Sequence, residues 1–172
     1  LQGMNLRDCN LVGRDLSGAN LKDTNLKGAN LEGAQILDVA ELEGANFRCA
    51  NLKGVDFGEP DGEYSDDAKL RGVDLSSADL SYAIIENVDI LDSNLRGANL
   101  ANANLKRARL WGVDLSGANL EGANLQGAEL TESNELAAAI EMIVLVKVRR
   151  AARGYMILKC VARKAGVECN IG

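Results

Sequence analysis

The side chains able to carry out covalent chemistry are few in this chain, and their spacing does not suit it. There is no histidine among the 172 residues. That removes Ser-His-Asp and Cys-His relays and most catalytic zinc sites. The four cysteines, Cys9, Cys49, Cys160 and Cys169, do not fall in the C-x-x-C spacing of redox and metal sites. Cys9 occupies a small-residue position and reads as core filler. Cys160 and Cys169 read as free thiols, with a disulfide as the alternative in an oxidising compartment. The glycines recur at fives instead of gathering into a phosphate-binding loop. Carboxylates are plentiful, but their repetition marks them as surface decoration, not as an acid/base pair. No catalytic residue, metal ligand or cofactor is expected, and the chain reads as non-enzymatic.

What remains is recognition chemistry. Trp111 is the only tryptophan, and Leu91 and Arg71 precede it at intervals of twenty. Trp and Arg are the residue types that anchor protein interfaces. A second candidate is residues 58–69, GEPDGEYSDDAK, an acidic insertion that holds Glu59, Asp61, Asp66, Asp67 and the only proline. Insertions in repeats are common places for function, and a bland spacer is the alternative. Arg7, Lys27, Arg48 and Arg96 form a third series, basic in an acidic chain. A fourth candidate is an apolar association segment with Leu136, Ile140, Ile143 and Val144.

These residues are positioned by a repeat of five. The unit is small residue, Asn or Asp, Leu, polar residue, Gly, as in Ala29-Asn30-Leu31-Glu32-Gly33 and Ala118-Asn119-Leu120-Glu121-Gly122. Its apolar centres run in three phases: Leu1 to Ile36, then Leu42 to Phe57 after a one-residue slip near Asp38–Ala40, then Leu70 to Leu130 after the insertion. There are 25 such centres. A period of five fits neither a strand (2) nor a helix (3.6). It fits a square coil with one unit per side and four sides per turn. The central Leu and the small residue two before it face inward, the residue after Leu faces outward, and Gly turns the corner, where φ > 0 is inexpensive. About six coils stacked at about 4.8 Å make a rod roughly 30 Å long.

Residues twenty apart then share a face. One face carries Asn5, Asn25, Asn46, Asp74, Asn94 and Asp114, and the next carries Asn10, Asn30, Asn51, Asp79, Asn99 and Asn119. These read as structural ladders of side-chain amides bonded to turns and to one another. Arg7, Lys27, Arg48 and Arg96 fall outward on one face. Arg71, Leu91 and Trp111 fall outward on its neighbour, either as a partner-binding patch or covered by this chain's own C-terminal segment. Arg14 takes an inward position and is expected to snorkel outward at the first coils.

On these motifs, residues 1–133 resemble the pentapeptide-repeat family, A(D/N)LXX. The resemblance implies an all-β repeat solenoid, a right-handed quadrilateral parallel β-helix. The stretch Val55-Asp56-Phe57-Gly58-Glu59-Pro60-Asp61-Gly62 followed by Lys69-Leu70-Arg71-Gly72 further resembles the repeat domain of KCTD-type BTB/POZ adaptors, although no BTB domain is present.

Residues 134–172 form the second region. The period of five ends near Asn134. Residues 135–153 read as a helix with Ser133 or Asn134 as cap and Arg149, Arg150 and Arg153 in the last turn. A second helix is expected over 155–165, and a strand within 143–148 is the alternative. The apolar surface nearly encircles residues 136–148, so it needs covering on more than one side. One side closes the open end of the coil. The other meets helix two or a partner chain. The resemblance makes a homodimer through these helices an expectation, since gyrase-binding members of the family dimerise through a C-terminal helical segment. The run is too short to span a bilayer and includes Glu141 and Lys147.

Composition bounds the function. The chain has 47% hydrophobic residues but only 3% aromatics, with 18 Gly and 1 Pro. That suits a uniform aliphatic core and many identical turns. The net charge is −6, and residues 1–133 hold 22 acids against 12 bases, a net of −10. Such a balance disfavours direct nucleic-acid binding. The reading is a protein–protein interaction scaffold or structural subunit of a larger assembly. The alternative, implied by the resemblance, is an acidic DNA mimic that binds a topoisomerase such as DNA gyrase. The expected setting is soluble, in the cytoplasm or an organelle such as the plastid. Leu1 already lies within the repeat, which predicts a fragment, a processed form or a domain of a longer protein.

Overall fold

In a computed structural model of the protein, the described residues are 1–37, 41–58 and 70–130. They form a parallel β-helix with four faces. On the first face Asn5, Asn25, Asn46, Asp74, Asn94 and Asp114 pair in parallel, each with the next. On the second face Asn10, Asn30, Asn51, Asp79, Asn99 and Asn119 do the same, and on the third Asp15, Gln35, Asp56, Ile84, Asn104 and Asn124. The fourth face begins with Asn20 paired to Glu41. It continues as a four-stranded parallel sheet: β1 (Leu70–Arg71), β2 (Asp89–Leu91), β3 (Arg109–Trp111) and β4 (Glu129–Leu130), in that order.

Successive partners stand twenty apart except where the ladders cross the slip or the insertion. Asp15 pairs with Gln35 but Asn20 with Glu41, so one extra residue is taken up between 35 and 41. Asn46 pairs directly with Asp74, so the acidic insertion adds no coil. The local shapes of the slip (38–40) and the insertion (59–69) lie outside the described residues, as does the expected helical region 134–172. No helix among the described residues is long and apolar enough to cross a membrane.

The five-residue unit makes this shape because each position has a separate task. The central residue and the small residue two before it fill the interior. Leu26, Leu31, Phe47, Leu52, Phe57, Leu80 and Leu100 are fully buried, with Ala29, Ala34, Ala45, Ala83 and Ala98 between them. Burying each Leu side chain contributes about 1.5–3 kcal/mol. Two hydroxyls replace Ala inside, and both are bonded. Thr24 Oγ1 donates to Leu1 O at 2.8 Å, and Ser93 Oγ donates to Leu70 O at 2.7 Å while accepting from Val73 N at 3.0 Å. Arg14, at an inward position by count, is exposed, and the Leu6, Leu11 and Leu16 side chains beside it are only partly buried.

The corner residue, two after each centre, has φ between 51° and 71° wherever a positive φ occurs. A turn closes there, with the fourth residue's N–H bonded to the central carbonyl, as in Ala29 N to Leu26 O at 3.0 Å. Positive φ at the third residue is the type II pattern that glycine serves. Nine corners nevertheless hold other residues, including Asp8, Asp92, Asn102, Tyr82 and Arg107. Stacking against neighbouring coils imposes the left-handed conformation on them, at a cost of roughly 1 kcal/mol each.

The Asn or Asp before each centre does two jobs. Its side-chain oxygen accepts the N–H two residues on, as Asn99 does from Ala101 at 3.2 Å. Where the residue is Asn, its amide also reaches along the ladder: Asn51 to Asn30 at 3.0 Å, Asn119 to Asn99 at 3.1 Å, Asn124 to Asn104 at 3.2 Å.

Candidate interaction face

Two faces carry Asn or Asp at every ladder position, the third does so except at Gln35 and Ile84, and the fourth departs furthest. At its ladder position Asn gives way to Glu41, then Asp89, Arg109 and Glu129. In a strand, alternate residues share a side. Ile90 and Leu110 therefore point into the core, while their neighbours point out. Two outward columns result. One runs Asp89, Arg109, Glu129, and the other Arg71, Leu91, Trp111.

Arg109 joins the columns. Its Nε and Nη2 donate to the two carboxylate oxygens of Asp89, one coil earlier. Side-chain exposure is 22% for Arg109 and 9% for Asp89, so the pair is largely shielded. The fork-on-carboxylate geometry fixes the guanidinium plane. The same group lies 5.4 Å from the centroid of the Trp111 ring, a cation–π contact. Trp111 is thus held on the surface at 38% exposure. Leu91 lies half-buried beneath it and Arg71 is exposed one coil earlier.

The lower part of this face is ionic. Lys22 Nζ bonds Glu43 at 2.7 Å, and Asn20 Nδ2 donates to Glu41 at 2.6 Å. The Lys22 hydrogen bond, then its charge, holds the Glu43 carboxyl below the usual range, and Arg71 adds in the same direction.

The expected column of Arg71, Leu91 and Trp111 is therefore brought together in register. Glu59, Asp61, Asp66 and Asp67 of the insertion, and Leu136, Ile140, Ile143 and Val144 of the association segment, lie outside the described residues. The expected basic series occupies the outward positions of the first face, with Arg7, Arg48 and Arg96 exposed and Lys27 half-buried. Sequence reasoning missed Asp89 and Arg109. Their signal is a carboxylate and a guanidinium at ladder positions twenty apart, where an opposite charge one coil away would be within reach. Among the described residues no group of three or more Cys, Asp or Glu could hold a metal ion, and Cys9 and Cys49 are unpaired thiols.

The family model for pentapeptide repeats matches eight copies, over residues 5–36, 35–59, 66–97 and 93–132. No curated protein matches the chain. Several solved structures are similar. HetL of Nostoc, a pentapeptide repeat protein involved in heterocyst differentiation regulation, is 27% identical over 78% of this chain, with a TM-score of 0.36. The chain spans 66% of HetL, just under two thirds of its length. A thylakoid-lumen pentapeptide repeat protein of Arabidopsis thaliana is 24% identical over 81% of this chain and 75% of its own, with a TM-score of 0.25. QnrB1, a plasmid-mediated fluoroquinolone resistance protein, is 20% identical over 83% of this chain and 88% of its own, with a TM-score of 0.34. At these TM-scores no role transfers from them. The finer likeness to KCTD-type BTB/POZ adaptors receives no support from these matches.

Proposed function

The chain belongs to the pentapeptide-repeat family, and from that premise we propose that it is a non-enzymatic protein–protein interaction scaffold, or a structural subunit of a larger assembly, whose partner docks on the fourth face. The observation that carries this reading is the Arg109 guanidinium, fixed by Asp89 and laid against the exposed Trp111 ring. A pre-ordered aromatic anchor loses little side-chain entropy on binding. Leu91 and Arg71 extend the patch along the rod.

The test is affinity purification from the native source, with quantitative mass spectrometry, of the wild-type chain beside Trp111→Ala and Leu91→Ser. A stoichiometric partner that disappears with both variants supports the reading. Retention of every partner by both variants overturns the assignment of this face.

The acid excess of residues 1–133 favours a second reading, a DNA mimic acting on a topoisomerase such as DNA gyrase. Pairing of Glu32, Glu43, Glu86 and Asp89 with cations weakens it by breaking up the negative surface. Inhibition of gyrase supercoiling by stoichiometric protein would favour the mimic, and unimpaired supercoiling would remove it for that enzyme.

A further inference from the structure

On three faces of the rod, cations pair with a carboxylate one coil away on the same face. Lys53 pairs with Glu32 at 3.8 Å on the second face, and Lys106 with Glu86 at 2.6 Å on the third. On the fourth face Lys22 pairs with Glu43 and Arg109 with Asp89. The first face makes no such pair between coils among the described residues. Its outward column runs Arg7, Lys27, Arg48, Ser76, Arg96 and Ser116, so three cations stack on successive coils. Arg7 reaches its chain neighbour Asp8 at 3.1 Å, but Lys27, Arg48 and Arg96 make no ion pair among the described residues. Like charges directly across a parallel ladder repel. No other outward column among the described residues stacks two cations on successive coils.

The file is one side chain wide. Asp8 borders it at one corner, Asp23 and Asp92 border it at the other, and Asp74 and Asp114 stand beside it in the ladder column of the same face, beyond the Arg7–Arg48 stretch. A broad anion such as a duplex or a bilayer would meet those carboxylates as well as the cations. A narrow anion would not. Spacing narrows the choice further. Successive coils rise about 4.8 Å, and side chains one helical turn apart rise about 5.4 Å. Over two steps the mismatch is small. Same-side residues of an extended strand step by roughly 6.7 Å and fall out of register at once.

We propose that the first face is a docking track for an acidic α-helix of a partner protein, with carboxylates at i, i+4 and i+7 set against Arg7, Lys27 and Arg48. This surface is separate from the Trp111 patch and does not depend on it.

The probe is a fluorescent alanine-based helical peptide with Glu at i, i+4, i+7 and i+11, titrated with the full chain by anisotropy. Its control is an isomer with the same glutamates spread around the helix. The expected results are saturable binding that weakens with salt, and a loss of roughly tenfold for the isomer and for Lys27→Gln/Arg48→Gln. Trp111→Ala should leave it unchanged. Circular dichroism of the double variant checks that the β-helix is intact. If that variant is misfolded, Arg48→Gln and Lys27→Gln alone are compared, each expected to weaken binding. Equal binding of the isomer, equal binding by the neutralised chain, or tighter binding of single-stranded DNA or phosphatidylserine vesicles overturns the proposal. Each of those outcomes leaves the fourth-face reading standing.

Discussion

Asn99 Nδ2 donates to Asp79 Oδ1 at 3.0 Å, one coil earlier in the second-face ladder. Its own Oδ1 accepts from Ala101 N and from Asn119 Nδ2. One amide therefore joins three coils, and its donor is met by an acceptor that cannot donate. Asn99→Asp keeps the shape and loses the donor, leaving two carboxylates in contact. At pH 7 the variant should lose about 1–3 kcal/mol, read by thermal unfolding against wild type. Repulsion raises a carboxyl pKa in the folded variant above its unfolded value. Stability relative to wild type is therefore fully recovered only below the unfolded value of about 3.9, and it is lost as pH rises through the folded one. A deficit that does not shrink on acidification would argue against the donor's role.

Gly112 and Gly117 share nearly the same φ, 68° and 67°. They differ in what lies beside them. A Cβ on Gly112 would come closer than 3.0 Å to Asp92 Oδ1, whereas one on Gly117 meets nothing within 4 Å. Gly117→Ala should cost roughly 1 kcal/mol for the backbone alone. Gly112→Ala should cost about 1 kcal/mol more, because Asp92 must rotate away. Adding Asp92→Ala should return most of that difference, a non-additivity that a double-mutant cycle in urea would measure.

Trp111 is the sole tryptophan, so its fluorescence reports on the fourth face directly. Arg109→Met removes the group that holds the ring and strands Asp89 at 9% exposure. We expect lower Trp111 anisotropy, greater acrylamide quenching, and a stability loss of about 3 kcal/mol from the orphaned carboxylate. Trp111→Ala should cost under about 1 kcal/mol, since the ring is already partly in water. Unchanged quenching in Arg109→Met would mean that the cation does not order the ring.

Glu43 and Glu86 should titrate below the ordinary glutamate value of about 4.3. The Lys22 hydrogen bond lowers the first, and the Lys106 and then the Asn104 hydrogen bonds lower the second. A depressed carboxyl pKa contributes stability above the unfolded value, and that stability disappears as pH falls through the folded one. The melting temperature should therefore drop on acidification below about pH 4, and less steeply in Glu43→Gln/Glu86→Gln. Carbon-detected NMR of the two carboxyls checks the cause, and ordinary values at both would contradict the pairing.

Much of this architecture can be read from the residues. The fivefold recurrence of Leu gives the coil, and the twenty-residue interval places Arg71 under Leu91 and Leu91 under Trp111, as the register of β1 to β3 confirms. The Asn99 and Asn119 amides bond along their ladder as their spacing predicts. The corners are harder. Gly at most of them suggests that glycine sets the turn, yet Tyr82 and Arg107 adopt the same φ. That conformation comes from stacking, a tertiary cause that local propensity does not register. The Asp89–Arg109 pair was obscured for another reason. A charged residue within a ladder looks like surface variation until the coil brings its opposite number alongside.

The corner overhangs all point one way. Asp8 leans over Gly28, Asp23 over Gly44, Asp92 over Gly112 and Asn102 over Gly122, in each case from the earlier coil to the later. A repeat protein of this kind changes length in evolution by copying or dropping whole turns. Here a crossover that separates an overhanging Asx from its glycine sets a side chain against it, and the Asx must rotate away. Splices that keep such pairs together cost least, so the rod has a direction and preferred places where it can be lengthened or shortened.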